Sequence, residues 1–408
     1  MRWRELLAHR AFRDFQALWS GQIGSQLGDR LTQMILIAIV SARVPGSPAA
    51  LAKMMAFTVI PAFVVSPFAG AYVDRWDRRR TMLVCDLARG ACAFALPAVA
   101  AWPQLAPTYG VVFLLFGIAC FFLPARLALV PSLVPPEALV AANALVTTSG
   151  MIGATASMLV GGLLVEQIGV PASGFMAAVS YLASAGCILR IRTRLPPAAP
   201  AAKRRALLAE IREGLQYTVG QRHARFVLWI LALLMGAAGA VFVVATVMVQ
   251  QAFGSVTRDL GIFSMTFGLG LFLGTILYGR LGQRWRKPQL VRWCLVISGL
   301  SLLGLGWGVG VLRSWQAGCI TTALLGMAVA PVGIAVNAMI HELVHDRLRG
   351  RVFSAMGIAM NVALLTGLWV AGTVAESITP LGTLAVVGGS LIAVGVAGFL
   401  RRPQSSRS

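Results

Sequence analysis

The chain is dominated by long apolar runs, and this pattern constrains the fold more than any short motif does. A run of about 20 predominantly apolar residues can cross the hydrocarbon core of a bilayer as one helix. The sequence of 408 residues predicts twelve such spans. Their expected limits are 15–41, 50–72, 81–102, 109–130, 139–165, 170–189, 226–250, 260–279, 289–311, 316–340, 352–375 and 381–400. We therefore expect an all-α membrane protein.

Composition agrees with a membrane protein and excludes an ordinary soluble domain. The chain is 58% hydrophobic and 12% charged, whereas soluble domains are roughly 25% charged. Its net charge of +21 is also typical of nucleic-acid binding. With both termini in the cytoplasm, however, most basic residues fall on the cytoplasmic side, with Arg43, Lys53, Arg258 and Arg313 outside. This asymmetry is the positive-inside rule, so the expected partner is the lipid bilayer and not a nucleic acid.

A charged turn at residues 70–80, with the sequence GAYVDRWDRRR, separates the second and third spans. A similar turn, GRLGQRWRK, follows the eighth span at residues 279–287. Gly70, Arg75 and Trp76 recur at equal spacing as Gly279, Arg284 and Trp285. Two halves that repeat one another within a membrane protein are typical of transporters built from paired helical bundles.

The longest polar stretch, about residues 190–225, lies between the two halves. It opens with Pro196, Pro197 and Pro200, which favour a linker. Apolar residues then recur at helical spacing over 203–217, which indicates either an amphipathic helix on the membrane surface or a plain tether. We expect an N-terminal bundle at 1–192, a linker at 193–225 and a C-terminal bundle at 226–408.

The first charged turn resembles the signature of the major facilitator superfamily, G-x-x-x-D-R-x-x-R-[RK]. Within that superfamily, the chain resembles drug and siderophore exporters related to macrolide efflux pumps and to the enterobactin exporter. This finer resemblance rests on the phrases LWSGQ at 18–22, LGD at 27–29, LVPSLVP at 129–135 and RGRVF at 349–353. It implies two six-helix bundles that export amphipathic, drug-like molecules from a bacterium across its cytoplasmic (inner) membrane, by alternating access and in exchange for protons. The alternatives are a narrow-substrate siderophore or lipid exporter, and a membrane sensor or scaffold that transports nothing.

The resemblance also implies a role for the charged turn as a latch between the two halves on the cytoplasmic side. Asp86 and Arg89, one helical turn apart in the third span, are the expected partners of the turn in that latch. The alternative is that these charges only fix the topology. In the second turn Gln283 replaces the acidic residue, so we expect a weaker latch there. The residues of the predicted latch are Gly70, Asp74, Arg75, Arg78, Arg79, Asp86 and Arg89.

Two charged residues are candidates for proton coupling. Asp29 lies near the middle of the first span, where an unpaired carboxylate costs about 2.5–3.5 kcal/mol on insertion scales. A carboxyl group in apolar surroundings favours its neutral form, which allows proton exchange near neutral pH. The resemblance implies that an acidic residue in this span couples protons to substrate, and it suggests a similar role for Arg126 in the fourth span. The alternatives are permanent helix–helix pairing for Asp29 and contact with lipid headgroups for Arg126.

Enzymatic chemistry is not expected. The sequence contains no P-loop, and its six cysteines are scattered singly. One string, His341-Glu342-Leu343-Val344-His345, has the spacing of a metalloprotease motif. It falls in the short loop after the tenth span, where further ligands for a metal are lacking. We therefore expect no metal and no cofactor, and the substrate-binding residues cannot be identified from the sequence.

Overall fold

A computed structural model describes residues 10–73, 75–193, 213, 216–282, 285–343 and 346–400. Across these ranges the chain forms helices joined by short turns, and no strand occurs in them. The helices are α1 (Arg10–Arg43), α2 (Pro48–Val64), α3 (Ser66–Val73), α4 (Arg78–Ala101), α5 (Ala106–Leu133), α6 (Leu139–Leu189), α7 (Arg222–Phe253), α8 (Thr257–Leu281), α9 (Lys287–Leu305), α10 (Trp315–Leu343), α11 (Asp346–Ser377) and α12 (Pro380–Leu400). The all-α prediction is confirmed, and each predicted span overlaps one or two of these helices.

Helices differ from the predicted spans in three places. In the ninth span, predicted to reach 311, α9 ends at Leu305 and a π-helix follows over Gly306–Val311. The second span is divided into α2 and α3; α2 contains Pro61 and α3 has Pro67 in its first turn, a position that suits proline. The fifth and sixth spans run together as α6, which bends at Gly169, where φ is 75°. That left-handed conformation favours glycine, and it marks the boundary that the sequence predicts.

Nine helices in the described part of the chain are long and apolar enough to cross a membrane. The bent segment Pro136–Leu189 counts as one of them. Helix α1 is long enough at 34 residues but is not among the nine. Its glutamines and charged residues lower its hydropathy, and one of the charged residues, Asp29, belongs to the site described below.

The chain divides into two compact units. Unit 1 comprises Met1–Pro45 and Met54–Arg204, and unit 2 comprises Gly46–Lys53 and Arg205–Ser408. Within unit 1, α1 packs along α6, and α4 packs on both α5 and α6. Phe15, Leu18, Met82, Phe122 and Leu129 belong to its buried apolar core. The amphipathic helix predicted at 203–217 lies outside the described residues except for 213, 216 and 217, so the linker at 193–225 stays a prediction.

Unit 2 is held by four main helix pairs, α7 with α11, α8 with α10, α9 with α12, and α9 with α10. Glycines bring the backbones of α8 and α10 together. A Cβ at Gly270 would overlap the backbone of Ala323, and one at Gly326 would overlap the backbone of Phe267. Such close approach allows strong van der Waals packing between helices in a membrane.

Candidate functional site

Asp29 lies midway along α1, and its carboxylate connects α1 to α4 and α6. Its Oδ1 atom accepts hydrogen bonds from Nη1 of Arg89 at 2.9 Å and from the hydroxyl of Tyr181 at 2.7 Å. The Asp29 side chain is 39% exposed, whereas the Arg89 side chain is 2% exposed. The Asp29 side chain is therefore partly exposed, whereas the arginine that it binds is buried.

Asp86 holds the other side of the same arginine. The Nη2 atom of Arg89 donates to Oδ1 of Asp86 and, at 2.9 Å, to Oγ of Ser25. Ser25 donates to Asp86 Oδ1 at 3.3 Å, and Ser184 donates to Asp86 Oδ2 at 2.5 Å. Asp86 is 0% exposed, and hydrogen bonds to both of its oxygens provide what a buried charge requires.

Two aromatic rings complete the surroundings of Arg89. Its guanidinium carbon lies 4.5 Å from the ring centroid of Phe122 and 4.9 Å from that of Tyr181. Both distances allow a cation–π attraction. Tyr181 therefore acts twice, because its ring contacts Arg89 while its hydroxyl binds Asp29.

Gly28 provides the space that Tyr181 occupies. A Cβ at Gly28 would lie 2.9 Å from Cζ of Tyr181, too close for a rigid ring. Gly24, one turn earlier on the same helix, contacts α6 in the same way, since its Cβ would lie 3.2 Å from the carbonyl oxygen of Ser180. These glycines let α1 approach α6 closely enough for Asp29 to reach the tyrosine.

Arg126 lies on α5 within electrostatic range of the Asp29 carboxylate. Its side chain is half-buried, and its Nε has no hydrogen-bond partner in the described structure. The two residues predicted for proton coupling thus lie within range of each other, although they come from different helices. Their coupling role stays a prediction.

The charged turn begins at Gly70 in α3 and continues beyond the end of that helix at Val73. Asp74 lies outside the described residues. Arg75 is exposed. Asp77 caps the start of α4, because its Oδ1 accepts the backbone N–H of Arg80 at 2.8 Å, a typical N-cap contact.

Arg78 and Arg79 bind backbone carbonyl groups of neighbouring helices in unit 1. Arg78 Nη1 donates to the carbonyl of Ala128 at 3.0 Å. Arg79 donates to the carbonyls of Ile188 and Leu189 at 3.1 and 2.7 Å. Both carbonyls lie at the C-terminal end of α6, where a cation is favourable. The latch role of the turn stays a prediction.

Asp86 and Arg89 were expected to be the partners of the charged turn in this latch. They form an ion pair with each other. Their other hydrogen bonds, however, go to Ser25, Ser184 and Asp29 and not to the charged turn. Both side chains are buried between α4, α1 and α6, and their part in the latch stays a prediction.

The sequence alone missed the neutral members of this cluster, Ser25, Phe122, Tyr181 and Ser184. Ser25 could have been found, since it precedes Asp29 by four residues and thus lies on the same face of α1. The others lie on α5 and α6, and only the packing of the helices shows their proximity.

The side chains of the metalloprotease-like string lie outside the described structure. His341 and Glu342 lie at the end of α10, and the placement of their side chains and of His345 is outside the described structure. Elsewhere in the described chain, no group of three or more His, Cys, Asp or Glu side chains could hold a metal ion.

Comparison with known proteins identifies the family. A model of the transmembrane secretion effector family matches residues 7–406. The chain belongs to this family. It is therefore a membrane transporter of the major facilitator superfamily and not an enzyme, as the charged turn predicts.

Several curated relatives of this secretion effector family member are bacterial exporters. The chain is 24% identical to macrolide efflux protein A of Streptococcus pyogenes, over 71% of this chain and 71% of that protein. It is 29% identical to the putative bacilysin exporter BacE of Bacillus subtilis, over 59% of this chain and 60% of that protein. These similarities support a membrane transporter of the export type.

Solved structures share the fold. The nucleoside transporter NupG superimposes with a TM-score of 0.77 at 13% identity, covering 95% of this chain and 98% of that protein. A bacterial homologue of the iron transporter ferroportin gives a TM-score of 0.72 at 14% identity, covering 96% and 99%. At such low identity these matches establish the major facilitator fold alone.

Proposed function

We propose that this protein exports amphipathic small molecules from a bacterium in exchange for protons, by alternating access. The single observation that carries the proposal is the environment of Asp29. Asp29 lies in the middle of a membrane helix. Its side chain is 39% exposed and binds a buried arginine. An ionisable residue at such a depth is expensive and commonly belongs to an ion pathway. The export direction is supported by similarity to macrolide efflux protein A.

The two carboxylates around Arg89 differ in a way that suits exchange at Asp29. Asp86 is fully buried and hydrogen-bonded on both oxygens, so it keeps Arg89 in place whether or not Asp29 is ionised. Asp29 is partly exposed and has one oxygen engaged by Arg89 and Tyr181. In this proposal the transported proton binds Asp29, and the attraction of Asp29 to Arg89 and Arg126 is then lost.

Orientation and domain motion are parts of the same proposal. We place both termini in the cytoplasm, because the basic residues are concentrated in the loops on that side. The bundles at 1–192 and 226–408 then move against each other around the linker at 193–225. The charged turn acts as their cytoplasmic latch, with Arg78 and Arg79 fixed to helix ends of unit 1.

The test is substrate-dependent proton release from energised inverted vesicles, followed with a pH-sensitive dye. Lipophilic cations, macrolides and siderophores are added to vesicles with wild type, Asp29→Asn or Glu137→Gln. Glu137 is an exposed carboxylate and serves as the matched control. We expect a signal in wild type and Glu137→Gln that is abolished in Asp29→Asn, while the amount of inserted protein stays equal.

Three other results would change the proposal. A full signal in Asp29→Asn would assign coupling to another group and leave Asp29 a structural role. A signal from one compound class alone would favour a narrow-substrate exporter, the second candidate, which the similarity to the putative bacilysin exporter supports. No signal from any compound would contradict proton antiport.

A further inference from the structure

A cationic cavity lies at the end of unit 1 where α1 begins and α6 ends. Its volume is about 920 Å³, within the range of about 300–1,000 Å³ that is usual for small-molecule sites. Arg13, Arg190 and Arg192 line it, and all three are exposed. Within the described structure none of the three forms an ion pair. This cavity is separate from the Asp29 cluster, and the transport mechanism above does not use it.

The acidic residue in the lining does not neutralise these arginines. Oδ2 of Asp14 accepts the backbone N–H groups of Arg192 and Thr193 at 3.1 and 2.7 Å. It also accepts the hydroxyl of Thr193. Asp14 is 8% exposed and is committed to holding the chain that leaves α6. The described residues of the lining therefore carry a net positive charge, and Gln16 and Ser20 among them add neutral hydrogen-bond donors.

An apolar stripe on α6 begins at the same cavity. Leu189 lines the cavity and is 55% exposed. Leu182, Val179 and Phe175 are 50%, 47% and 57% exposed, and their spacing of three, four and seven residues puts them on one face of the helix. A charged site that continues into an apolar stripe on a membrane-spanning helix matches a molecule with an anionic head and apolar chains.

We propose that this cavity binds the phosphate headgroup of an anionic phospholipid, whose acyl chains lie along the α6 stripe. Arginine is well suited to phosphate, since its planar group donates two parallel hydrogen bonds. The shared chemistry of the site is a phosphate ester, which a free phosphate also provides. The stripe favours the lipid, because a free phosphate has no use for apolar surface.

The experiment measures lipid binding to the full-length protein by native mass spectrometry, with phosphatidylglycerol or phosphatidylcholine added in detergent. The cavity variant is Arg13→Ala/Arg190→Ala. The control is Arg80→Ala/Arg286→Ala, which removes the same charge from exposed positions outside the cavity lining. Each basic residue near an anionic lipid contributes roughly fivefold in affinity. We therefore expect the affinity of the cavity variant for phosphatidylglycerol to fall about thirtyfold. The control variant should bind phosphatidylglycerol with nearly the affinity of wild type. Binding of phosphatidylcholine should change little in either variant.

A second variant and a competitor distinguish the lipid from a free anion. Leu182→Ser interrupts the stripe without touching the arginines, so it should weaken phosphatidylglycerol binding and leave any binding of inorganic phosphate unchanged. Equal losses of phosphatidylglycerol affinity in the cavity and control variants would overturn the proposal, since the overall charge alone would then explain binding. Displacement of the lipid by millimolar inorganic phosphate, with no effect of Leu182→Ser, would reassign the cavity to a soluble phosphate compound and overturn the lipid proposal.

Discussion

The two carboxylates that share Arg89 should contribute very differently to stability. In Asp86→Asn, the buried guanidinium loses its fully buried anionic partner, while Ser25 and Ser184 lose a charged acceptor. Removing one partner of a buried ion pair costs about 3–5 kcal/mol. In Asp29→Asn, Arg89 keeps Asp86, and the lost partner is 39% exposed. Solvent screening limits the contribution of that partner to about 1 kcal/mol or less. We therefore expect the free energies of unfolding of the two variants to differ by about 2–4 kcal/mol.

The assay is unfolding in mixed micelles with increasing SDS, followed by the fluorescence of the ten tryptophans. The double variant Asp86→Asn/Arg89→Met provides the internal control. It should recover part of the loss, because it removes the buried charge that Asp86→Asn leaves unpaired. Equal destabilisation by Asp29→Asn and Asp86→Asn would refute the reasoning. Asp29 would then hold helices together permanently, and its role in proton exchange would lose its physical basis.

Two further predictions concern glycines at helix contacts. Gly28→Ala should displace Tyr181 from Asp29 and reduce transport. Gly186→Ala on α6 should not, because a Cβ at Gly186 would meet nothing within 4 Å. Transport into vesicles that contain equal amounts of each protein checks this. On α10, Gly326→Ala should lower the midpoint of thermal unfolding in detergent because its Cβ overlaps a backbone carbonyl of α8. A Cβ at Gly333 would meet nothing within 4 Å, so Gly333→Ala should stabilise α10 by up to about 1 kcal/mol. A higher unfolding midpoint for Gly326→Ala than for Gly333→Ala would contradict the packing described here.

The positions of the helices follow from the sequence because hydropathy is a local property. The fourth span was predicted at 109–130, and α5 extends over Ala106–Leu133. The gap between the fifth and sixth spans was predicted at 165–170, and the bend falls at Gly169. The division of the second span into α2 and α3 was missed, although Pro61 and Pro67 both signal it.

The candidate site was only partly predictable, since it depends on how helices are rotated and packed. Asp29 and Asp86 stand out in the sequence as acidic residues within apolar runs. Arg89 could be paired with Asp86 from their separation of one helical turn. Its bond to Asp29 crosses from α4 to α1, and no local pattern specifies that contact. The contribution of Tyr181 depends further on Gly28, whose role is visible only when α1 and α6 are packed together.

The charge balance of the cluster leads to a final prediction about substrates. The negative charges of Asp29 and Asp86 balance the positive charges of Arg89 and Arg126. A proton on Asp29 would therefore leave one excess positive charge. A cationic substrate bound about 4 Å from Asp29 would lose roughly 4 kcal/mol of attraction at an effective dielectric constant near 20. Because Asp29 is 39% exposed, screening reduces this, and we expect at least about a tenfold loss of affinity.

Protons and cationic substrates should therefore exclude each other, while neutral amphipathic compounds should not respond to protonation. Asp29→Asn removes the same negative charge that a bound proton would remove, so this variant should bind a lipophilic cation more weakly than wild type does. A neutral compound should bind both proteins equally. Equilibrium binding to purified protein measures this without any transport step. An affinity for the cation that does not depend on Asp29 would show that substrate binds away from the cluster, and coupling would then require a conformational route between the two sites.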